Sequence, residues 1–143
     1  MTSLQANKRQ WEDLGQLDPF WGMTGTNRFG RWNVEAFLQT GYEQVADLLQ
    51  RIAPFERPKQ RSIVLDFGCG VGRLAPAFRL HFRYVGIDIA ESLIVKARRL
   101  HADLSQAHFL VSASVTLPIA ANSCDLVHAW GVLQHVPDQT SAL

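Results

Sequence analysis

The chain has 143 residues and a mass of 16.0 kDa, enough for one domain with a buried core and too little for two of ordinary size. With 47% hydrophobic and 19% charged residues it falls outside the disordered and low-complexity classes, and 14 Lys and Arg against 13 Asp and Glu leave a formal charge of +1 that favours neither nucleic acid nor an anionic membrane. Cys69 and Cys124 are too few and too far apart for a disulfide framework or a zinc knuckle, which fits a reducing cytoplasm; no signal-peptide core opens the chain and no apolar stretch reaches membrane-spanning length.

Residues 11–32 are rich in rings and turn formers, with Asp18-Pro19-Phe20-Trp21-Gly22 and Phe29-Gly30-Arg31-Trp32 as the most distinctive pieces, and read as an extension packed on the domain by its rings. Over 33–52 the apolar residues Val34, Phe37, Leu38, Val45, Leu48, Leu49 and Ile52 recur at helical spacing, with Asn33 as cap and Ala53-Pro54 as stop. Residues 1–54 are thus expected to form an N-terminal helical extension or cap, joined by the polar linker 55–61 to a core over 62–143. That core opens on Ile63-Val64-Leu65-Asp66-Phe67, a short apolar run ended by glycines, the pattern of a strand buried on both faces. A helix over 73–82, a strand over 84–88, a helix over 91–100 and strands over 108–111 and 125–130 follow. Short strands alternating with helices imply parallel pairing, hence an α/β fold with an open, doubly wound sheet whose ligands bind at the carboxyl ends of the strands.

The strongest chemical signal lies at the first of those ends. Asp66-x-Gly68-x-Gly70-x-Gly72 turns a buried strand toward a helix through three alternating glycines, which allow positive φ and let a ligand approach the main chain. Asp88 follows at the end of the second strand, where a carboxylate can accept hydrogen bonds from both hydroxyls of a ribose; its alternative duty is to cap the helix that begins near Glu91. A dinucleotide fingerprint would place a third glycine where Arg73 stands, and Asp66 suits a cationic amino group better than a pyrophosphate.

These segments resemble the class I, Rossmann-like methyltransferases that use S-adenosylmethionine, the small-molecule type above all. The likeness runs from Ile63 to Asp138: the glycine motif, Val85-Gly86-Ile87-Asp88, Leu117-Pro118 before Asp125-Leu126-Val127, and Val132-Leu133-Gln134-His135-Val136-Pro137-Asp138 after the fourth strand. The resemblance implies a sheet in the order three, two, one, four within a set of seven strands, of which this chain would hold the front part. It also implies that Asp66 with Gly68, Cys69 and Gly70 holds the methionine end, that Asp88 holds the ribose and Ile89 a face of adenine, and that Trp130 lies at the cofactor. Ala113 stands where an acidic residue often meets adenine, leaving main-chain groups or Ser114, and Ala90 replaces a common capping Ser.

Methyl transfer from a sulfonium needs alignment more than acid or base. Should the acceptor be a hydroxyl that must lose a proton, His135 is the candidate base, with a helix-start role as its plainer reading. His81, His101 and His108 read as surface or strand-edge residues, His128 as a strand residue, and no metal site is expected. Cys69 has no base near it in sequence and is not read as a nucleophile. The acceptor is expected to be a small molecule, with no nucleic acid or membrane partner. An open edge on the fourth strand would invite self-association or a partner chain. The rival readings are a nicotinamide-dinucleotide enzyme and a truncated cofactor-binding module without activity.

Overall fold

A computed structural model describes residues 3–24, 30–55, 59, 61–114 and 117–136. Most of the linker 55–61, together with Phe29, Pro137 and Asp138, lies outside the described residues. Helix α1 spans Ser3–Leu17 and α2 Val34–Ile52; the core then runs β1 Ile63–Phe67, α3 Ala75–Phe78, β2 Arg83–Asp88, α4 Glu91–Leu100, β3 Ala107–Val111 and β4 Leu126–Ala129. All neighbouring strands are parallel and the order is β3-β2-β1-β4, the α/β arrangement that the resemblance implies. Asp66 is in register with Gly86 on one side and His128 on the other, and Asp88 with Val111. The strand tips that carry chemistry are therefore brought to one end of the sheet. β4 is an outer strand, and Val127 on it stays 61% exposed.

Local chemistry accounts for the boundaries. The Asn33 side chain accepts from the Ala36 N–H at 2.7 Å, starting α2 as a cap does, and Phe37, Gly41 and Val45 follow one another along its buried stripe. At the start of β4, Asp125 Oδ2 accepts from the Ile63 N–H at 2.7 Å while the Asp125 N–H donates to the Ile63 carbonyl at 2.9 Å, which fixes the register of β4 on β1. Val64, Phe78, Tyr84, Ile94 and Ala97 form one buried cluster with Val45 of α2, so the second helix shares the core of the sheet. Phe37, Val71, Ala90 and Leu93 form another, covered by Trp11, Phe20, Met23 and Trp32.

Three expectations need correction. The helix expected over 73–82 is only Ala75–Phe78: positive φ at Gly72 delays its start, and past Phe78 the bonds tighten, Leu80 N–H to Ala77 and His81 N–H to Phe78 at 3.2 and 2.9 Å. Within the aromatic extension, residues 11–17 belong to the regular helix α1. His101 is buried, not a surface group; its Nε2 donates to the Val71 carbonyl at 3.1 Å, and its ring stacks on Phe109 with centroids 5.5 Å apart. His81 and His108 are exposed as expected.

Ala90, at the N-cap of α4, offers no side-chain acceptor, and α1 fills the gap. Glu12 accepts from the Glu91 N–H at 2.6 Å through Oε1 and from the Ser92 N–H at 3.0 Å through Oε2, and Lys96 Nζ donates to the Gly15 carbonyl. Burial pushes the Glu12 carboxyl up, but the hydrogen bonds from Ser92 and Glu91 and the Lys8 charge outweigh it and hold it below its usual range. A folded value below the unfolded one adds stability that is present above the ordinary glutamate range and lost as acid titrates the folded carboxyl. Glu12→Ala should therefore lower unfolding stability in urea by about 1 kcal/mol at neutral pH, the usual worth of a cap, with the difference from wild type shrinking in acid. An unchanged midpoint at neutral pH would show that the bonds contribute nothing.

Candidate cofactor site

β1 leaves the sheet through Gly68, Gly70 and Gly72 at φ of +76°, +55° and +75°, conformations that side-chain-bearing residues rarely adopt. The loop stays stitched to β2, because the Gly68 and Cys69 N–H groups both donate to the Ile87 carbonyl, at 2.7 and 3.0 Å. Asp88 completes the attachment. Its Oδ2 accepts from the Gly70 N–H at 2.8 Å and its Oδ1 from the Ala90 N–H at 2.9 Å, so one carboxylate joins the glycine loop to the start of α4. An ionised carboxylate has about four acceptor positions, which leaves Asp88 capacity for ligand hydroxyls. Burial pushes its carboxyl up; the Ala90 and Gly70 bonds oppose that, and the Asp66 charge adds to it.

Asp66 is buried at the tip of β1, its Oδ2 accepting from the Tyr84 hydroxyl at 2.7 Å and its Oδ1 facing His128 Nδ1 at 2.9 Å. The Tyr84 ring reaches it by lying along the sheet over Gly86, where an added Cβ would stand 2.9 Å from the ring and 2.8 Å from Cys69 Sγ. Burial, then the Asp66 charge, pushes the Tyr84 phenol well up, so it remains a donor. Burial, then the Asp88 and Asp66 charges, likewise pushes the Cys69 thiol well up, and a protonated thiol is a poor nucleophile.

A cavity of about 620 Å³ opens over these strand tips. Asp66, Gly68, Cys69, Asp88, Ile89, Ala113, Ser114, Trp130 and His135 all line it, whereas Gly70 does not. Met23 covers that glycine, its Sδ only 2.0 Å from where a Gly70 Cβ would lie. Sequence reasoning missed most of the far wall, Leu4 and Asn7 of α1 together with Met23 and Thr24; Trp11, which the sequence suggests as a core or cap residue and a lid over the donor site, stands with them. The two sides meet where Asn7 Nδ2 donates to the His135 carbonyl at 2.7 Å and the Trp11 and His135 rings pack edge to face, 5.4 Å apart. Leu4, Trp11 and Leu14 at helical spacing were the available signal. His128 lines the cavity too, and its meaning emerges only from the pairing of β4 with β1. A larger hollow of about 940 Å³, lined by Leu49, Arg79, Phe82 and Arg83 among others, lies at the amino ends of the strands, away from the glycine loop.

A protein in a transposon of Streptomyces fradiae is 36% identical over 83 residues, 55% of this chain and 24% of that protein. The ubiquinone biosynthesis O-methyltransferase of Coxiella burnetii is 37% identical over 78 residues, 52% of this chain and 33% of the relative. The chain thus spans between 24% and 33% of the length of these two curated relatives. Among solved structures, magnesium protoporphyrin IX methyltransferase from Synechocystis with bound S-adenosylmethionine shares the fold with a TM-score of 0.66 at 22% identity, over 96% of this chain and 65% of that one. The family model described as a methyltransferase domain matches residues 35–143, which takes in the glycine loop, Asp88 and all four strands, and the chain belongs to that family.

Proposed function

We propose that the chain binds S-adenosylmethionine in the cavity over the strand tips and serves methyl transfer to a small-molecule acceptor. The observation that carries this reading is the convergence of Asp66, the glycine loop and Asp88 on one cavity of about 620 Å³, a volume typical of sites for cofactors and small ligands. The cofactor supplies an electrophilic methyl carbon; the remaining tasks fall to the chain. Asp66 presents a buried carboxylate to the ammonium of the methionine end, Asp88 offers its spare acceptor positions to the ribose hydroxyls, and Ile89 with the 112–114 segment borders the adenine. Trp11 and Met23, acting as part of a cap read over residues 1–54 whose α2 also packs into the core of the sheet, exclude water from the reacting centre. His135 borders the same space, within reach of the role of base for a hydroxyl acceptor. The O-methyltransferase name of the Coxiella relative supports an acceptor of that kind.

The proposed setting is the cytoplasm. Both cysteines are free thiols, and no helix among the described residues is long and apolar enough to cross a membrane. The exposed Val127 on the outer strand β4 supports the association of a further chain with that edge. The reading is tested by titration calorimetry of the chain with S-adenosylhomocysteine and, separately, with NADH. Binding of the first and none of the second is expected; binding of NADH alone, or of neither, would overturn it.

A further inference from the structure

Arg73 occupies the position where a dinucleotide loop has its third glycine, and its side chain is buried rather than turned to solvent. It reaches back to α2, where Nη1 donates to Thr40 Oγ1 at 3.1 Å and Nη2 donates to Gln44 Oε1. Arginine only donates, so the oxygen of the Gln44 amide must face it and the amide nitrogen must face the other way. On that other side, Gln44 Nε2 lies 3.4 Å from His128 Nε2. An amide N–H pointing at that nitrogen requires it to accept, so the ring proton sits on Nδ1, which donates to Asp66 Oδ1 at 2.9 Å. Every group from Arg73 to Asp66 thus has its polarity fixed by the one before it. The Phe78 ring, edge to face with the imidazole at 5.5 Å, holds the His128 plane in place.

The arrangement keeps a buried cation and a buried anion close without letting them touch. A direct Arg73–Asp66 pair would neutralise the carboxylate with a full positive charge held by two parallel bonds, and a ligand ammonium would have to compete with that charge. Gln44 and His128 instead carry polarisation between them and no formal bridge, so each Asp66 oxygen accepts one fixed bond, from Tyr84 or His128, and keeps an acceptor position free. We propose that His128, with Gln44 and Arg73 behind it, is a positioning residue that aims the Asp66 carboxylate at the ammonium group of the bound cofactor. This rests on the reading of Asp66 as the ammonium partner given under Proposed function.

Two ligands separate this role from a merely structural one. S-Adenosylhomocysteine carries the amino acid end, whereas 5′-methylthioadenosine keeps the nucleoside and lacks it. Calorimetry of His128→Leu should show about tenfold weaker binding of S-adenosylhomocysteine, the effect of misdirecting the one charged hydrogen bond between Asp66 and the ammonium, with 5′-methylthioadenosine unchanged. His128→Asn places an amide N–H where Nδ1–H stood and should restore most of the loss. Gln44→Leu, outside the sheet, frees the imidazole to change tautomer and should weaken S-adenosylhomocysteine selectively; it carries the test if His128→Leu does not fold. Equal loss of both ligands, loss of neither, or failure of His128→Asn to rescue overturns the proposal. Asp66→Asn is the separate control: wild-type binding of S-adenosylhomocysteine by that variant overturns the ammonium reading itself.

Discussion

Asp88→Ala should weaken binding of S-adenosylhomocysteine by about tenfold or more, since hydrogen bonds to a charged group are worth about 1.5–3 kcal/mol each and 1.4 kcal/mol is a factor of ten. The structure adds a second consequence. The same carboxylate holds the Gly70 and Ala90 N–H groups, so its removal leaves two buried donors open and loosens the loop from the start of α4. Stability should fall by about 1–3 kcal/mol for each donor left without a partner, read from the urea midpoint alongside the calorimetry. Asp88→Asn keeps one acceptor oxygen and should fall between alanine and wild type on both measures. A folded alanine variant with unchanged affinity would show that Asp88 is a structural tie and not a ribose ligand.

The second large effect is expected at Gly41, inside α2. On propensity alone, alanine at a helix interior stabilises by about 1 kcal/mol relative to glycine. Gly41 should behave in the opposite sense, because a Cβ there would stand 2.3 Å from the carbonyl oxygen of Arg73, a main-chain atom with no rotamer to yield. Overpacking of this kind typically destabilises by about 1–3 kcal/mol and sometimes more, enough to exceed the propensity gain. Gly41→Ala should thus lower the urea midpoint, and by moving the Arg73 main chain it should also weaken ligand binding at the loop. A more stable variant with intact binding would mean that α2 does not lie this close.

The elements legible in the sequence are those whose signals are local. α4 occupies the expected 91–100 because Leu93, Ile94 and Ala97 give its inner face directly. α2 starts where Asn33 caps it, and β1 ends where the glycines begin. α1 was harder to see, since Asn7 interrupts the apolar spacing of Leu4 and Trp11, and Gly15 sits inside the helix where propensity argues against it. The helix after the loop is shorter than its apolar periodicity suggests, because periodicity says nothing of a preceding positive φ. In the site, Asp66, the loop and Asp88 stood out through spacing along one stretch of chain. His128 did not, since a histidine inside a strand acquires meaning only from its register with Asp66, 62 positions away.

The distance between Glu12 and the helix it caps bears on where this chain can be divided. Likeness to the methyltransferase domain begins at residue 35, so α1 lies outside the matched stretch. Yet the first N–H groups of α4, deep within that stretch and directly after Asp88, find their acceptors on Glu12, 79 and 80 positions upstream. A limit drawn by sequence likeness therefore leaves out the carboxylate that caps a helix inside it, and a piece cut at residue 35 would keep the recognised motifs while losing a cap worth about 1 kcal/mol.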